Sequence, residues 1–588
     1  MNRFSMNSRS ITPSFSESAR IVLRERYLRR DEAGRLIEDA HGMLRRVASA
    51  IAAPARMFGE DAVFWEERFL QRLERLEFLP NSPTLMNAGH PSGQLAACFV
   101  LPIEDDLDSI FAALSRTARI HQTGGGTGFS FSALRPHEDR VRSTGGITSG
   151  PISFMELFDH ATAVIRQGGR RRGANMAVLR IDHPDIEEFI DAKRTPGRLE
   201  NFNLSVGVTR SFFAALNARK PFVLRNPRTG LAVRSADPQS LFDAIVEAAW
   251  ATGDPGLLFL DEINRTNPTP ALGAIEATNP CGEQPLLPYE SCTLGSINLA
   301  AFVAEGGVDW EGLGGAIRDS VVFLDNVIEA NCYPFPEIEA CTRRTRKIGL
   351  GVMGLAELLA RLGIAYDSDE GLALGGRIAK FLTDGARAAS AELGEKRGSF
   401  PALYGSIWPE QGFATLRNAS VTCVAPTGTI SLLAGTSSGI EPFFALAMVR
   451  RLLDGRLIEE INPIVVAALA PLGEVGRAAL REIVGHGSVR QIAGLPEDVR
   501  RRFPTALEIT PEFHMRMQAA FQAHIDAAVS KTVNLPHDAP VAAVREVFLL
   551  ARRFGLKGVT VYRYGSRPGQ TLSLVHENAR PDCRECAV

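Results

Sequence analysis

The segment Asn279-Pro280-Cys281-Gly282-Glu283 places an amide, a thiol and a carboxylate at alternate positions of the chain. In an extended segment alternate side chains point to the same side, so these three groups are expected to converge on one pocket. The proline and glycine between them suit a tight loop in which the backbone comes close to a ligand. A turn around a buried cysteine is the alternative interpretation when the segment is taken alone.

The composition of the chain is that of an ordinary globular protein. Its 588 residues are 45% hydrophobic and 22% charged, which supplies ample material for a core. A formal net charge of -2 gives no global positive field, so neither nucleic acid nor a membrane surface is an expected partner. No apolar run approaches the roughly 18 residues that cross a bilayer, and the first 20 residues lack a signal-peptide core. A cytoplasmic location is therefore the expectation.

Hydrophobic periodicity divides the chain into three regions. Residues 1–80 are predicted to be a helical N-terminal region, because large apolar side chains recur at helix spacing from Trp65 to Leu76 after a cap at Asp61. From residue 81 to residue 565, short apolar runs alternate with helical stretches, which indicates an enclosed α/β domain with mostly parallel strands. Residues 566–588 are rich in Gly, Ser, Pro and Arg, which is typical of a flexible tail.

Several individual elements are predicted within the α/β region. The expected strands cover residues 95–101, 203–208, 257–260 and 421–425, and the expected helices cover residues 240–251, 351–362 and 517–529. The glycine run at residues 124–128 marks a loop that approaches a ligand through its backbone. It matches neither the dinucleotide fingerprint nor the phosphate loop with its lysine.

Two cysteines, Cys583 and Cys586, form a Cys-x-x-Cys in the tail. Half of a zinc site is one interpretation, but no second Cys-x-x-Cys and no clustered His pair would complete four ligands. No metal site is therefore predicted. A dithiol on a mobile arm can instead exchange with a disulfide elsewhere, since exchange needs only access and a thiolate.

Five segments together resemble the catalytic chain of ribonucleotide reductases. They are Pro80-Asn81-Ser82-Pro83-Thr84-Leu85-Met86-Asn87, Ala97-Cys98-Phe99-Val100-Leu101, the Asn279 to Glu283 segment, Ser291-Cys292-Thr293-Leu294-Gly295, and Ala425-Pro426-Thr427-Gly428-Thr429-Ile430-Ser431. Each motif alone is weak evidence, whereas their shared order along nearly the whole chain is specific. The resemblance implies a ten-stranded α/β barrel in which a finger loop carries a radical cysteine into the centre.

The resemblance also implies roles for five residues. Cys281 is expected to form the thiyl radical that removes the 3′ hydrogen of the ribose. Glu283 would take the proton of the 3′ hydroxyl as general base, and Asn279 would hold the sugar hydroxyl. Cys98 and Cys292 match the pair that supplies the reducing electrons and ends as a disulfide, which requires Cα atoms within roughly 7 Å of each other. A buried small hydrophobe is the alternative role for Cys98.

The substrate phosphates are expected at the start of a helix. Backbone N–H groups after an apolar strand make a suitable anion site, and the resemblance assigns substrate binding to the segment from Pro426 through Thr427, Gly428 and Thr429 to Ile430. It also assigns substrate contacts to Ser82, Ala97 and Gly126. A plain helix cap by one of the threonines is the alternative, and it is compatible with binding.

The motifs also bear on which component generates the radical. Relatives with a separate metal-and-radical subunit carry two adjacent tyrosines on a late strand, whereas here Arg563 separates Tyr562 from Tyr564. No glycyl-radical motif is found. The remaining motifs resemble the adenosylcobalamin-dependent class, although no Asp-x-His-x-x-Gly cobalamin motif is present. Adenosylcobalamin is therefore the predicted cofactor, with the large subunit of a two-subunit reductase as the runner-up and a non-catalytic nucleotide-binding paralogue as a further alternative.

Partners and regulation also follow from the resemblance. The expected partners are a ribonucleotide substrate, favoured as the diphosphate, a nucleotide effector (dNTP or ATP), and a thioredoxin-like reductant acting through Cys583 and Cys586. Asp105 and Arg142 match effector positions, and residues 168–175 match a loop that links effector to substrate. An acidic helix start and a solvated basic loop are nearly equal alternatives for them. A homodimer is expected, with control of specificity but no N-terminal ATP cone and hence no overall dATP off-switch.

Overall fold

Ten strands form one large sheet at the centre of this computed structural model, which describes residues 13–91, 93–140, 146–165, 173–451, 457–567, 572–573 and 575. In chain order they are β1 (Phe78–Pro80), β2 (Cys98–Val100), β3 (Gly126–Ser130), β4 (Asn175–Arg180), β5 (Phe202–Val208), β6 (Gly256–Phe259), β7 (Ser291–Asn298), β8 (Ile348–Met353), β9 (Thr532–Leu535) and β10 (Gly558–Arg563).

The sheet consists of two parallel halves that run in opposite directions. Strands β2, β3, β4, β5 and β6 are parallel neighbours in that order, and β7 with β8 and β9 with β10 are parallel pairs. Antiparallel contacts join the halves where β7 meets β2 and where β10 meets β6, and β1 adds to β7 in antiparallel orientation. Most residues of these strands are buried, and the exposed Asn203 of β5 and Thr560 of β10 line a cavity.

The segment around Val421–Ala425 closes the sheet into a barrel. It is extended and pairs in parallel through isolated bridges, Leu350 with Thr422 on one side and Val424 with Val529 on the other. Backbone hydrogen bonds from Ser530 N to Val424 O and from Val424 N to Ala528 O support the second contact. Strands β2 to β10 and this segment are the ten strands of the predicted α/β barrel, which is confirmed together with the helical N-terminal region.

Helices surround the barrel and build the N-terminal region. They are Glu17–Val22, Ala40–Ala52, Ala62–Glu74, Ser82–Asn87, Leu107–Gln122, Gly150–Val164, Ile186–Asp191, Arg210–Ala218, Pro238–Thr252, Leu260–Arg265, Trp310–Ala330, Pro336–Thr345, Leu355–Arg361, Asp369–Arg397, Gly428–Ala434, Pro463–Leu469, Gly473–His486, Glu497–Arg502, Pro511–Gln522 and Val541–Arg553. The predicted cap at Asp61 is present, since its carboxylate accepts from the backbone N–H groups of Val63 and Phe64.

Smaller strands form ribbons outside the large sheet. They are the pair Phe222–Arg225 and Ala232–Ala236, the pair Val303–Ala304 and Gly307–Val308, and a three-stranded sheet of Ala447–Arg451, Leu457–Ile461 and Leu572–Ser573. Among the described residues one helical run, Pro463–His486, has the length and composition that could cross a membrane. Its buried residues Val465 and Ile483 belong to an apolar cluster with Phe503, so in this structure the run packs against protein.

Two predicted helices have different bounds in the structure. Residues 351–353 end strand β8, and the helix begins only at Leu355. A Cβ at Gly351 would lie 2.4 Å from Cys423 O, so the glycines of this strand serve close strand packing rather than a helix. The late helix ends at Gln522, and the remaining periodic residues up to Val529 are buried in the segment that leads into the barrel closure.

A short hairpin carries the Asn279 to Glu283 segment along the inside of the barrel. Its strands, Ala277–Thr278 and Pro285–Leu286, pair in antiparallel orientation and leave residues 279–284 as the loop. Strand β3 comes unusually close to it, because a Cβ at Gly128 would lie 1.8 Å from Thr278 O and one at Gly126 would lie 2.9 Å from Pro280 Cγ. The glycine run is therefore the surface on which the finger loop rests.

We expect Gly128→Ala to destabilise the fold by about 2 kcal/mol or more, because its methyl group would collide with hairpin backbone. Thermal unfolding of the purified variant measures the effect. Gly485→Ala is the matched control, since its Cβ meets open space on the helix Gly473–His486 and is expected to be neutral or slightly stabilising. Equal unfolding temperatures for Gly128→Ala and the wild type would contradict this packing.

Candidate active site

Cys98 and Cys292 face each other across the junction of the two half-barrels. They are direct partners in the antiparallel pairing of β2 with β7. Directly opposed residues in such a pair have Cα atoms roughly 4.5–5.5 Å apart, which lies inside the range that a disulfide can bridge. Both thiols are free and buried. The geometry thus meets the distance requirement set by the sequence.

Buried polar contacts anchor the residue that precedes β7. The Glu290 carboxylate, immediately before β7, accepts from Lys347 Nζ at 2.6 Å, from Thr345 Oγ1 at 2.8 Å and from the Leu287 backbone N–H at 2.8 Å. Glu290 and Lys347 are both at most 2% exposed. The backbone oxygen of the same Glu290 accepts from the Val100 N–H of β2 at 3.1 Å, so the anchored residue also pairs with β2 beside the two cysteines.

Asn279 links the finger loop to the thiol pair. Its Nδ2 donates to Cys98 Sγ at 3.1 Å, while its Oδ1 accepts from the Gln284 backbone N–H at 2.9 Å. The loop turns at this point, since Gly282 N donates to Asn279 O and Gly282 has a φ of 83°. The segment is therefore a turn, and the expectation that three alternate side chains of an extended segment share one side is wrong.

The three polar groups of the turn differ in how deeply they are buried. Asn279 and Glu283 are almost completely buried, whereas the Cys281 side chain is exposed. Cys281 and Gly282 line a cavity of about 1010 Å³ inside the barrel mouth. The loop thus presents its thiol to the cavity and keeps the amide and carboxylate beneath it, beside Cys98.

The environment keeps the buried thiols protonated. Burial raises the pKa of Cys98 well above its usual value, and the neighbouring Glu283 carboxylate raises it further. Burial also raises the pKa of Cys292 well above its usual value, with Cys423 and Glu283 adding to the effect. Both thiols can therefore donate protons near neutral pH, while neither is a ready thiolate.

Cys423 is a third thiol of this region that sequence reasoning missed. It is buried in the same apolar cluster as Cys98 and Cys292, and burial followed by the charge of Glu283 raises its pKa well above the usual value. The residue stands in the segment that closes the barrel. The sequence places Cys423 in an apolar predicted strand, and that pattern indicates a residue that packs in the core.

The predicted phosphate segment borders the same cavity. Pro426, Gly428 and Ser431 line it, and the helix Gly428–Ala434 begins after Thr427, which has a φ of 52°. Thr427 Oγ1 accepts from the Gly439 backbone N–H at 2.8 Å, which fixes the turn. Ile430 is buried behind the segment.

Two residues of the N-terminal region reach the predicted phosphate contacts. Tyr27 OH and Ser82 Oγ share a hydrogen bond of 2.7 Å, and Arg26 Nη1 donates to Thr429 Oγ1 at 3.4 Å. Neither Arg26 nor Tyr27 was among the sequence candidates, because nothing in a helical stretch of the N-terminal region indicates its distant partner.

Ala97 and Gly126 lie next to the thiol pair. Gly126 is the parallel partner of Cys98 in the pairing of β2 with β3, and Ala97 accepts from the Gly126 backbone N–H at 2.9 Å. Ala97 N in turn donates to Cys292 O at 3.3 Å. The structure thus brings together both of these candidates, the two cysteines and the Asn279 to Glu283 loop.

The two late tyrosines occupy different environments. Tyr562 lines the cavity, and burial raises its pKa. Tyr564 is buried with its ring 6.3 Å from that of Phe444. Arg563 points away from both, since its guanidinium lies over the Trp250 ring at 4.1 Å and donates to the Trp250 backbone oxygen.

The remaining candidates are less well defined by the structure. The Asp105 carboxylate is held by the Arg135 side chain at 2.8 Å and by its backbone N–H, so its visible role is to fix a loop. Arg142, Cys583 and Cys586 lie outside the described residues. Over the residues that the structure describes, no three His, Cys, Asp or Glu side chains cluster in a way that could hold a metal ion.

Comparisons with known proteins decide the family. Residues 96–562 match the family model described as "Ribonucleotide reductase, barrel domain", and residues 13–93 match "Ribonucleotide reductase, all-alpha domain". The chain belongs to the ribonucleotide reductase family. The resemblance of its motifs to ribonucleotide reductase catalytic chains is thereby confirmed.

Similarity to relatives within the ribonucleotide reductase family extends over nearly the whole chain. It is 54% identical to the vitamin B12-dependent ribonucleoside-diphosphate reductase of Mycobacterium tuberculosis (strain CDC 1551 / Oshkosh), with 95% of this chain and 80% of the relative covered. It is 45% identical to the protein of the same name from Thermoplasma acidophilum, with 96% and 81% covered. The Actinobacillus ureae class Id ribonucleotide reductase alpha subunit has the same fold, with a TM-score of 0.77, 24% identity, and 94% and 97% covered.

Mild oxidation is expected to link Cys98 to Cys292, because the two residues are cross-strand partners. Since burial raises both pKa values, the thiolate fraction keeps rising with pH, and we expect the rate of reaction with a small disulfide to increase from about pH 8 to about pH 10. Peptide mapping without reduction detects the linked pair, with Cys423→Ser as the control that retains it. A rate that is already constant above about pH 8, or a link to another cysteine, would contradict the geometry.

Proposed function

We propose that the chain reduces ribonucleoside diphosphates to 2′-deoxyribonucleotides by a thiyl-radical mechanism that depends on adenosylcobalamin. The observation that carries the proposal is the arrangement of one cavity-facing thiol, Cys281, above the buried pair Cys98 and Cys292. The names of the two relatives at 54% and 45% identity support both the diphosphate substrate and the cobalamin dependence.

The proposed chemistry gives each of the three thiols its own role. Cys281, as a radical, takes the 3′ hydrogen of the ribose, and Glu283 accepts the proton of the 3′ hydroxyl. The 2′ hydroxyl leaves as water with a proton from one thiol of the Cys98 and Cys292 pair, and the 2′ carbon takes a hydrogen atom from the other. The pair becomes a disulfide, its remaining electron reduces the 3′ keto group, and Glu283 returns its proton to the 3′ oxygen. The same hydrogen atom then returns from Cys281 to the 3′ carbon. The raised pKa values of Cys98 and Cys292 suit proton donation at the leaving hydroxyl.

Asn279 has a positioning role in this proposal. Its amide holds Cys98 Sγ in the structure, and in this proposal it also holds a sugar hydroxyl of the bound substrate. Burial keeps the Glu283 carboxylate and the Asn279 amide away from bulk water. The protein thus contributes position, a dry site and proton transfer.

The cavity is large enough for a nucleotide, and in this proposal it also takes part of the cofactor. At about 1010 Å³ it is at the upper end of the range for single small-molecule sites. Pro426 and Gly428 would hold phosphates on one side, and the wall near Phe444 and Tyr562 would hold the cofactor. When bound, adenosylcobalamin supplies the one-electron oxidant by homolysis of its cobalt–carbon bond. Cys281, exposed between the two sides, is the residue that meets it.

The two-subunit alternative is less well supported. A relay to a second subunit would need two stacked tyrosines, whereas Arg563 separates Tyr562 from Tyr564 and points to the opposite side, against Trp250. The chain is 26% identical to the ribonucleoside-diphosphate reductase subunit alpha of Chlamydia pneumoniae, well below its identity to the B12-dependent relatives.

We further propose that Cys583 and Cys586 return reducing equivalents from a thioredoxin-like protein, in a cytoplasmic setting. Leu572–Ser573 pairs with the strand Ala447–Arg451, whose Met448 and Arg450 line the cavity, so the start of the tail is held beside the barrel mouth. A disulfide between Cys98 and Cys292 is otherwise shielded from a reductase protein, because both residues are at most 4% exposed.

A homodimer with nucleotide effectors at its interface is also proposed. Large apolar side chains are exposed near two neighbouring helices, namely Leu107 and Phe111 on one and Val164 at the end of the other. Exposed apolar patches of this kind mark association sites. Sedimentation of the full chain tests it: a dimer supports the proposal and a monomer at micromolar concentration opposes it.

The function itself is tested by supplying adenosylcobalamin, a dithiol and a ribonucleoside diphosphate to the anaerobic chain, with no second protein. We expect deoxyribonucleotide formation, and we expect Cys281→Ser to bind the nucleotide but to form no product. Cys332→Ser is the matched control, since that cysteine is exposed outside the site and should be dispensable.

Turnover that appears only with a metal-and-radical subunit would favour the two-subunit alternative. Activity that persists in Cys281→Ser would remove the proposed role of this thiol. Nucleotide binding without any turnover under either condition would favour a non-catalytic paralogue.

A further inference from the structure

One side chain of strand β5 contacts the finger loop, residues 279–284. Asn203 is the exposed residue of this otherwise buried strand, and it lines the cavity together with Pro280 and Cys281. Its Nδ2 donates to Pro280 O at 2.7 Å. This carbonyl belongs to the peptide bond between Pro280 and Cys281, so the hydrogen bond holds the backbone directly before the exposed thiol.

The base of the finger loop is held by other contacts. Asn279 N donates to Gln284 O at 3.3 Å, and Gln284 N donates to Asn279 Oδ1 at 2.9 Å. Glu283 O accepts from the Ala528 N–H at 3.0 Å, which ties the end of the loop to the barrel. The contact from strand β5 acts on a different part of the loop, beside Cys281.

Pro280 contacts two strands of the barrel wall. Its ring packs against β3, where a Cβ at Gly126 would lie 2.9 Å from Pro280 Cγ. Its carbonyl accepts from the Asn203 amide of β5. Proline has a fixed φ and no N–H, so packing against the first strand and the hydrogen bond from the second are the contacts that place this residue.

A buried ion pair supports the strand on both sides of Asn203. The Asp254 carboxylate accepts from the Leu204 N–H at 3.1 Å and from Lys193 Nζ at 2.9 Å, and Lys193 also donates to Phe202 O. The side chains of Lys193 and Asp254 are 11% and 6% exposed. The backbone that carries Asn203 is therefore fixed, and a fixed backbone gives the amide a defined position at the cavity wall.

We infer that Asn203 is a positioning residue, whose amide holds the finger loop so that the Cys281 thiol stands at a fixed place in the cavity. Transfer of a hydrogen atom needs reacting atoms roughly 3–3.5 Å apart, and a displacement of about 1 Å can cost roughly a hundredfold in rate. The inference rests on the proposed function and deepens it, because it names a group outside the loop that sets the position of the reacting thiol.

Turnover of Asn203→Ala with adenosylcobalamin, a dithiol and a ribonucleoside diphosphate tests the inference. We expect kcat to fall roughly tenfold to a hundredfold while KM changes by less than about twofold, because the amide positions a reacting group and does not bind the nucleotide. Asn217→Ala is the matched control. It removes the same amide from an exposed position of the helix Arg210–Ala218 and should keep the wild-type kcat.

Asn203→Asp keeps the shape of the side chain and changes only its capacity to donate. An ionised carboxylate cannot donate to Pro280 O and is repelled by it, so kcat near pH 8 should fall at least as far as in Asn203→Ala. A protonated carboxyl can donate, and the carbonyl that it faces raises its pKa above about 4. The kcat relative to wild type should therefore recover as the pH falls from about 8 to about 5. A role in packing alone predicts the wild-type kcat at every pH.

Hydrogen exchange of the chain without cofactor or nucleotide gives a readout that is independent of turnover. Backbone amides of residues 279–284 should exchange several-fold faster in Asn203→Ala, while exchange in the rest of the barrel and the unfolding temperature stay unchanged. Asn217→Ala should exchange over the loop as the wild type does.

A wild-type kcat or an unchanged exchange rate of the loop in Asn203→Ala would overturn the inference. A raised KM with kcat kept would also overturn it, since that result indicates a substrate contact. Faster exchange throughout the chain with a lower unfolding temperature would replace it by a general structural role. If the wild-type chain forms no deoxyribonucleotide, the proposed function fails, whereas the exchange experiment still decides whether Asn203 holds the loop.

Discussion

The antiparallel contact between β2 and β7 is the constraint on which the site depends. Two parallel half-barrels meet there, and the register of a few residues places Cys98 opposite Cys292. The buried pair of Glu290 with Lys347 anchors the residue before β7, and the backbone oxygen of Glu290 accepts from Val100 of β2. Direct opposition in this antiparallel pair brings the two Cα atoms within reach of a disulfide.

Low polarity around this junction sets the chemistry of the sulfurs. Three buried thiols and the Glu283 carboxylate share a small volume, and burial is the largest cause of the raised pKa of each thiol. Thiols that stay protonated can donate protons and hydrogen atoms. They react slowly with other disulfides, because only the thiolate attacks a disulfide. Cys281 differs from the others because the turn at Gly282 lifts it into the cavity. One loop conformation therefore separates the proposed radical thiol from the proposed reducing thiols.

Sequence patterns predicted the parts of this arrangement that depend on residues close together in the chain. Apolar runs located β2, β5 and β6, the cap at Asp61 located a helix, and the ordered motifs indicated the barrel and the site residues. Residues 351–353 of β8 were predicted to be helical. The glycines of this strand allow close packing against Cys423, and the apolar residues between them also fit a helical pattern.

Contacts between distant residues could not be predicted in this way. Arg26 and Thr429 are 403 positions apart, and Tyr27 and Ser82 are 55 positions apart, so no periodicity connects them. The same holds for Gly128. Only glycine fits at this position, because the backbone of a hairpin 150 residues later in the chain lies against it. The turn at Asn279 also overrode the simple alternation of an extended segment, because a backbone hydrogen bond from Gly282 closes it.

The central claim is that Cys281 carries the unpaired electron when the site is assembled. Freeze-quenched electron paramagnetic resonance of the chain with adenosylcobalamin, an effector and a diphosphate measures this directly, using protein that contains cysteine deuterated at the β carbon. The account predicts a paramagnetic signal that narrows on deuteration and is absent in Cys281→Ser. A signal that is unaffected by deuteration, or that persists without the Cys281 thiol, would contradict it.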